Sequence, residues 1–154
     1  MTNATPVDWV LVADRSRACL FHALPDGLRP WPTVASFVHE QGRLSDRDLE
    51  SDAPGRLARF GGASSGVESQ EDRAHVEARR FATQLVDYLD HARHSRRFDR
   101  LVLVAPPKFL GVLREASPAP LRALTALEVN QDLMALTEAE LQQRLPTIVS
   151  SLPA

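Results

Sequence analysis

The sequence predicts an α/β domain built on a mixed five-stranded sheet, with elements in the order β-β-β-α-β-α-β-α. Three observations lead there. Two apolar, β-favouring runs near the start are separated by only a short polar link, which predicts a hairpin. One long segment carries apolar residues at helical spacing. The run Leu101-Val102-Leu103-Val104-Ala105 has no polar alternation, the pattern of a strand covered on both faces.

Val7 to Ala13 and Arg17 to Leu24 flank Asp14-Arg15-Ser16, so they predict the first two strands as an antiparallel pair. Pro25-Asp26-Gly27 is a turn signal, and Thr33 to His39 alternates as a third strand. From Glu40 to Gln70 periodicity disappears. The segment is acidic first and then rich in glycine and serine, which predicts a long, flexible loop over 40–70; such stretches are most often functional or disordered. Glu71 to His94 predicts the longest helix, with Ala74, Ala78, Phe81, Ala82, Leu85, Leu89 and Ala92 on one face, and Ser69 with Asp72 approximates its capping box. The apolar strand then belongs in the middle of the sheet. Pro106-Pro107 suits the first turn of a helix through about Glu115, which Ser117-Pro118-Ala119-Pro120 stops. Ala126 to Asn130 predicts the last strand. Thr137-Glu138-Ala139-Glu140 is a capping box opening a helix with Leu141 and Leu145 inward, ended by Pro146. The expected organisation is one domain over residues 1–146 and a loose tail over 147–154. This element order is the layout of the ribonuclease H-like three-layer fold.

At 154 residues the chain fits one ordinary domain, and its 44% apolar and 25% charged residues are globular values. No apolar run approaches the roughly 18 residues of a membrane span, and the start lacks a basic region followed by an apolar stretch, so a soluble, cytoplasmic protein without membrane contact is expected. The single cysteine, Cys19, excludes an internal disulfide. A formal net charge of -2 means that any polyanion must be bound by a local basic patch rather than by the overall field.

A two-metal nuclease would need carboxylates converging from the ends of the first and central strands. Asp14 is so placed, but the central strand ends in Ala105-Pro106-Pro107 with no acid to complete the site, and Asp14 also reads as a turn acceptor. The string Asp46, Asp48, Glu50, Asp52 has Ser51 where a calcium loop needs glycine and Leu57 where it needs the bidentate glutamate, so it reads as a solvated loop. Of the five histidines only His91 and His94 have a helical i, i+3 spacing, without a third ligand; no metal and no cofactor are expected. Arg93, Arg96, Arg97 and Arg100 form the densest basic cluster, either cations at a helix C-terminus or an RNA-binding patch. Few aromatics stand beside it, which argues against a base-stacking platform. Lys108, the one lysine, falls in a helix first turn, where amides and the helix dipole favour an anion, although two prolines remove two of the donors. Arg15, Arg17 and Arg114 are the cations expected to join it in an anion site.

Several of these stretches coincide with one family. Val10-Leu11-Val12-Ala13-Asp14-Arg15-Ser16-Arg17-Ala18, the run Arg97 through Gly111 with Leu113-Arg114, and the closing Glu128 through Leu133 resemble the bacterial host attachment protein family. Ala105-Pro106-Pro107-Lys108-Phe109-Leu110-Gly111 is the most specific element. The family takes its name from attachment to host cells and is similar in fold to the central domain of archaeal and eukaryotic peptide-chain release factors. In that domain a Gly-Gly-Gln loop before the long helix helps water attack the peptidyl-tRNA ester. Here Gly61-Gly62 occupy the corresponding place, but Ala63 follows and the nearest downstream glutamine is Gln70. The closing segment departs too, with Gln131 before Asp132 where family members often carry lysine.

The resemblance therefore implies a non-catalytic or weakly catalytic domain that binds the ribosome or structured RNA. A second reading is a protein partner role in attachment, acting indirectly on surface structures. A third is a hydrolase of unassigned substrate using Asp14, Gly61, Gly62 and Lys108 at the C-terminal ends of the strands.

Overall fold

The computed structural model describes residues 5–40 and 63–153. Strands β1 (Asp8–Ala13), β2 (Arg17–Ala23) and β3 (Thr33–Val38) form an antiparallel meander. Strands β4 (Arg100–Ala105) and β5 (Thr125–Asn130) extend it in parallel, β4 beside β1 and β5 beside β4. The open sheet runs β3-β2-β1-β4-β5, so the described chain is an α/β domain on a mixed five-stranded sheet. Its helices are α1 (Ala63–His94), α2 (Pro107–Ala116), α3 (Ala119–Leu124) and α4 (Glu138–Val149).

The hairpin closes because Asp14 turns the chain on itself. Its Oδ1 accepts the amides of Ser16 and Arg17, each at 2.8 Å, while its own amide donates to the Arg17 carbonyl at 2.9 Å. A short carboxylate that bonds backbone two and three residues on is a turn device.

Side-chain alternation along the strands then divides the core. Trp9, Leu11 and Ala13 of β1, with Leu101, Leu103 and Ala105 of β4, face α1, α2 and α3. Val10, Val12, Val102 and Val104 face the other way, onto α4, Trp31, Leu133 and Met134. Hence β4, with five of its six residues buried, reads as continuously apolar. It lies inside the sheet, next to the middle strand β1. On α1 the predicted face is the buried one, with Phe81, Ala82, Leu85, Leu89 and Ala92 in the core. His39, just past β3, pins that helix by a 2.8 Å contact from Nε2 to Glu77 Oε2 and by stacking on Phe81.

Four local expectations are corrected. First, α1 begins at Ala63 rather than Glu71, so residues 63–70 are helix and not loop, and Ser69 and Asp72 lie inside the helix instead of capping it. That stretch contains weak helix formers but no proline, and adding residues to an existing helix is far easier than nucleating one. Second, Ser117-Pro118-Ala119-Pro120 does stop α2, but Pro118 is also the N-cap of a further helix, α3, with proline tolerated in its first turn. Third, Pro146 does not end α4, which continues to Val149. One backbone hydrogen bond is lost there. The buried Leu145 and the partly buried Ile148 and Val149 hold the turn in place. Fourth, the last described residues are docked rather than loose: Leu152 packs on the second core and Arg100 donates to the Pro153 carbonyl.

The start of α4 is as expected. The Thr137 amide donates to Glu140 Oε1 at 2.9 Å, and the Glu140 amide donates to Thr137 Oγ1 at 3.2 Å. The bond from the Thr137 backbone, and then that with its side chain, hold the Glu140 carboxyl below its usual range.

Candidate anion-binding site

The parallel pair β1 and β4 has two ends, and the predicted cations divide between them. At the N-terminal end Asp8 and Arg100 are register partners. Arg100 donates through Nε to Asp8 Oδ1 (2.6 Å) and through Nη2 to Oδ2 (2.8 Å), a bidentate pair that raises the arginine's pKa, chiefly through the hydrogen bond. The Asp99 carboxylate accepts the Val7 amide at 2.7 Å. The Arg97 guanidinium lies 5.0 Å from the centre of the Trp9 ring and 5.8 Å from that of Tyr88, whose hydroxyl it reaches at 3.3 Å. Arg93 Nε donates to Asp90 Oδ1 at 2.7 Å.

Arg96, with φ 55°, is the left-handed residue that closes α1. Its amide bonds to the Arg93 carbonyl and that of Arg97 to the Ala92 carbonyl, the double closure of a Schellman motif. The arginine cluster therefore caps and fastens this end of the sheet. Arg93, Arg97 and Arg100 are each engaged within the chain, and only the exposed Arg96 side chain has no described partner.

The C-terminal end is built differently. Arg15 leaves the β1–β2 turn and Lys108 opens α2, and both line two adjoining cavities that share the Phe109 side chain. One cavity, of about 530 Å³, is closed by Asp14, Pro106, Pro107 and Asp132. The other, of about 300 Å³, lies between α1 and α2, walled by Ala74, Ala78, Phe109 and Val112, with Glu71 and His75 also on its α1 side. Pro106 is the N-cap of α2 and Pro107 follows it, so the first-turn amides left to meet a ligand are those of Lys108 and Phe109. Lys108 is exposed and has no ion-pair or hydrogen-bond partner among the described residues. Such an arrangement can hold an anionic group between two cations, with apolar surface beside it.

The structure therefore brings together Arg15 and Lys108, but not the other two predicted members of the site. Arg17 Nη2 donates to the Met134 carbonyl at 3.0 Å and lies 3.9 Å from Asp14 Oδ2. Arg114 is paired with Glu128 of β5, through Nε at 3.0 Å and through Nη2. The hydrogen bond to Glu128 raises its pKa. Asp14 borders the larger cavity, yet one of its oxygens is committed to the turn. Gly61 and Gly62 lie outside the described residues, as does the acidic string from Asp46 to Asp52. Among the described residues no group of three or more histidine, cysteine or carboxylate side chains could hold a metal ion, and no helix is long and apolar enough to cross a membrane.

Sequence reasoning missed Glu71, His75, Asp132 and the apolar walls. Glu71 and His75 are one helical turn apart, which was the available signal, but only the packing of α1 against α2 sets them across from Lys108.

No curated protein matches the chain. A family model described as "Protein required for attachment to host cells" matches residues 9–145, from β1 into α4, and so takes in nearly all of β1, the β1–β2 turn with Arg15, the whole of β4 and the α2 turn with Lys108. The chain belongs to the host attachment family.

Proposed function

We propose that this host attachment family protein is a release-factor-like binding domain, non-catalytic or weakly catalytic, for ribosomal or other structured RNA. We further propose that its contact surface is the C-terminal end of β1 and β4. The convergence of Arg15 and Lys108 on one pair of cavities carries the reading. Open α/β sheets take ligands at that end of their strands. The sheet order β3-β2-β1-β4-β5, with helices on both faces, supports a ribonuclease H-like fold of the kind the release-factor resemblance implies.

The site differs from the arginine cluster that the sequence alone suggests. Guanidinium groups already bound to Asp8, Asp90 and an aromatic pair must lose those contacts before they can neutralise phosphate, whereas Lys108 loses none among the described residues. The test is co-sedimentation of the tagged protein with ribosomes from its native lysate at low and high salt. Salt-sensitive association that falls on Lys108→Ala supports the reading, and absence from every ribosomal fraction overturns it. The second reading, a protein partner in attachment, is favoured by the apolar walls of the same cavities, and a pull-down retained at high salt would turn the assignment that way.

A further inference from the structure

The cavity between α1 and α2 is more selective than an RNA backbone requires. A phosphate alone would use Arg15 and Lys108 and leave Ala74, Ala78, Phe109 and Val112 untouched. A plain hydrocarbon acid would use those walls but would bring the Glu71 carboxylate no hydrogen to accept. A ligand that meets all three groups has an anion at one end, an apolar body, and an edge with N–H donors. A nucleotide with an amino-bearing base has that form, since its exocyclic amine can donate to a carboxylate while its faces meet apolar walls. A volume of about 300 Å³ suits one base with its sugar rather than a stacked pair.

We propose that this cavity binds a single nucleotide carrying adenine or another amino-bearing base. Its phosphate lies between Arg15 and Lys108, the base edge faces Glu71, and His75 is within the same wall. The nucleotide is either free or an unpaired residue of RNA, and only the second source rests on the RNA reading above.

Lys108 is the chain's one lysine, which makes the test direct. Reductive methylation with ¹³C-formaldehyde keeps its charge and gives one lysine resonance besides that of the amino terminus. The probes are adenosine 5′-monophosphate, uridine 5′-monophosphate, ribose 5-phosphate, a single-stranded hexaadenylate and an RNA hairpin. The expected result is that the adenine nucleotide moves the resonance at roughly tenfold lower concentration than ribose 5-phosphate, with the uracil nucleotide between them. Ala74→Phe or, as a milder filling of the cavity, Ala74→Leu removes that advantage and leaves ribose 5-phosphate unchanged.

Equal response to the adenine nucleotide and ribose 5-phosphate, or no effect of either Ala74 variant, overturns the proposal. If the hairpin still binds in that case, the RNA reading survives. If the mononucleotide binds with its base preference while neither RNA does, the ligand is a free nucleotide and the RNA reading falls instead. Preference for hexaadenylate over the hairpin, lost in the Ala74 variants, identifies an unpaired RNA residue. No shift with any probe overturns both.

Discussion

At the N-terminal ends of β1 and β4 the Arg100 guanidinium lies against the Asp8 carboxylate in a two-pronged pair, whereas at their C-terminal ends Lys108 stands on the wall of two cavities without a described partner. Both ends are rich in cations, and in sequence the first is the richer. The difference lies in which cations are already bonded within the chain once the sheet is assembled. Register brings Asp8 to Arg100, and stacking brings Trp9 to Arg97, so the charge of these arginines is engaged in holding the fold, while the Arg96 side chain has no described partner. At the other end the strands stop at a turn and at a proline-led helix, whose Arg15 and Lys108 line two cavities, and of these Lys108 has no described partner. An arginine-dense stretch can thus be engaged in holding the fold when carboxylates and aromatics are paired to it by the topology.

Substitutions at the two ends should separate their roles. Asp8→Ala leaves a partly buried guanidinium without its partner and should lower unfolding free energy by about 1–2 kcal/mol, read by urea denaturation, with polyanion binding unchanged. Arg97→Ala removes a cation from two aromatic faces and should cost about 0.5–1 kcal/mol in the same assay. Arg96→Gly should act the other way, stabilising by about 0.5 kcal/mol, because glycine adopts the left-handed conformation with less strain. Loss of RNA binding in Arg96→Gly would return the arginine cluster to the binding surface. Lys108→Ala should change stability by less than about 0.5 kcal/mol, since the side chain is exposed and holds nothing among the described residues.

The smallest effect is a pH dependence away from both ends. Glu140 has a folded-state pKa below its unfolded value, so its capping contribution is fully present above the ordinary carboxylate range and is lost as pH falls through the lowered value. Wild type should therefore exceed Glu140→Ala in melting temperature at neutral pH, with the gap closing in acid. A gap that stays constant with pH would remove the charged cap from the account.

Much of the fold was legible because its signals are local or periodic. The hairpin around Asp14, the buried run Leu101 to Ala105 and the Thr137–Glu140 box each follow from side chains within a few residues of one another. What was not legible depends on packing or context. Pro118 stops one helix and starts the next, and Pro146 is carried by the packing of Ile148 and Val149 beyond it against the second core. The lining of the candidate site was legible by halves. Lys108 was marked by its first-turn position and Arg15 was named with it, while Arg114 and Arg17 were drawn away by Glu128 and the Met134 carbonyl, partners distant in sequence. Glu71 and His75 became visible as site residues only when α1 was laid against α2.

The claim that the C-terminal end of β1 and β4 binds while the N-terminal end holds the fold is tested most directly by one paired titration. Binding of a structured RNA would be measured against salt for Lys108→Ala and for a triple Arg93, Arg96 and Arg97 to alanine variant. The account predicts that Lys108→Ala weakens binding and reduces the salt slope by about one, while the triple variant keeps the wild-type affinity and slope at temperatures where it is folded. The reverse pattern, a lost slope in the triple variant and an unchanged one in Lys108→Ala, would contradict it.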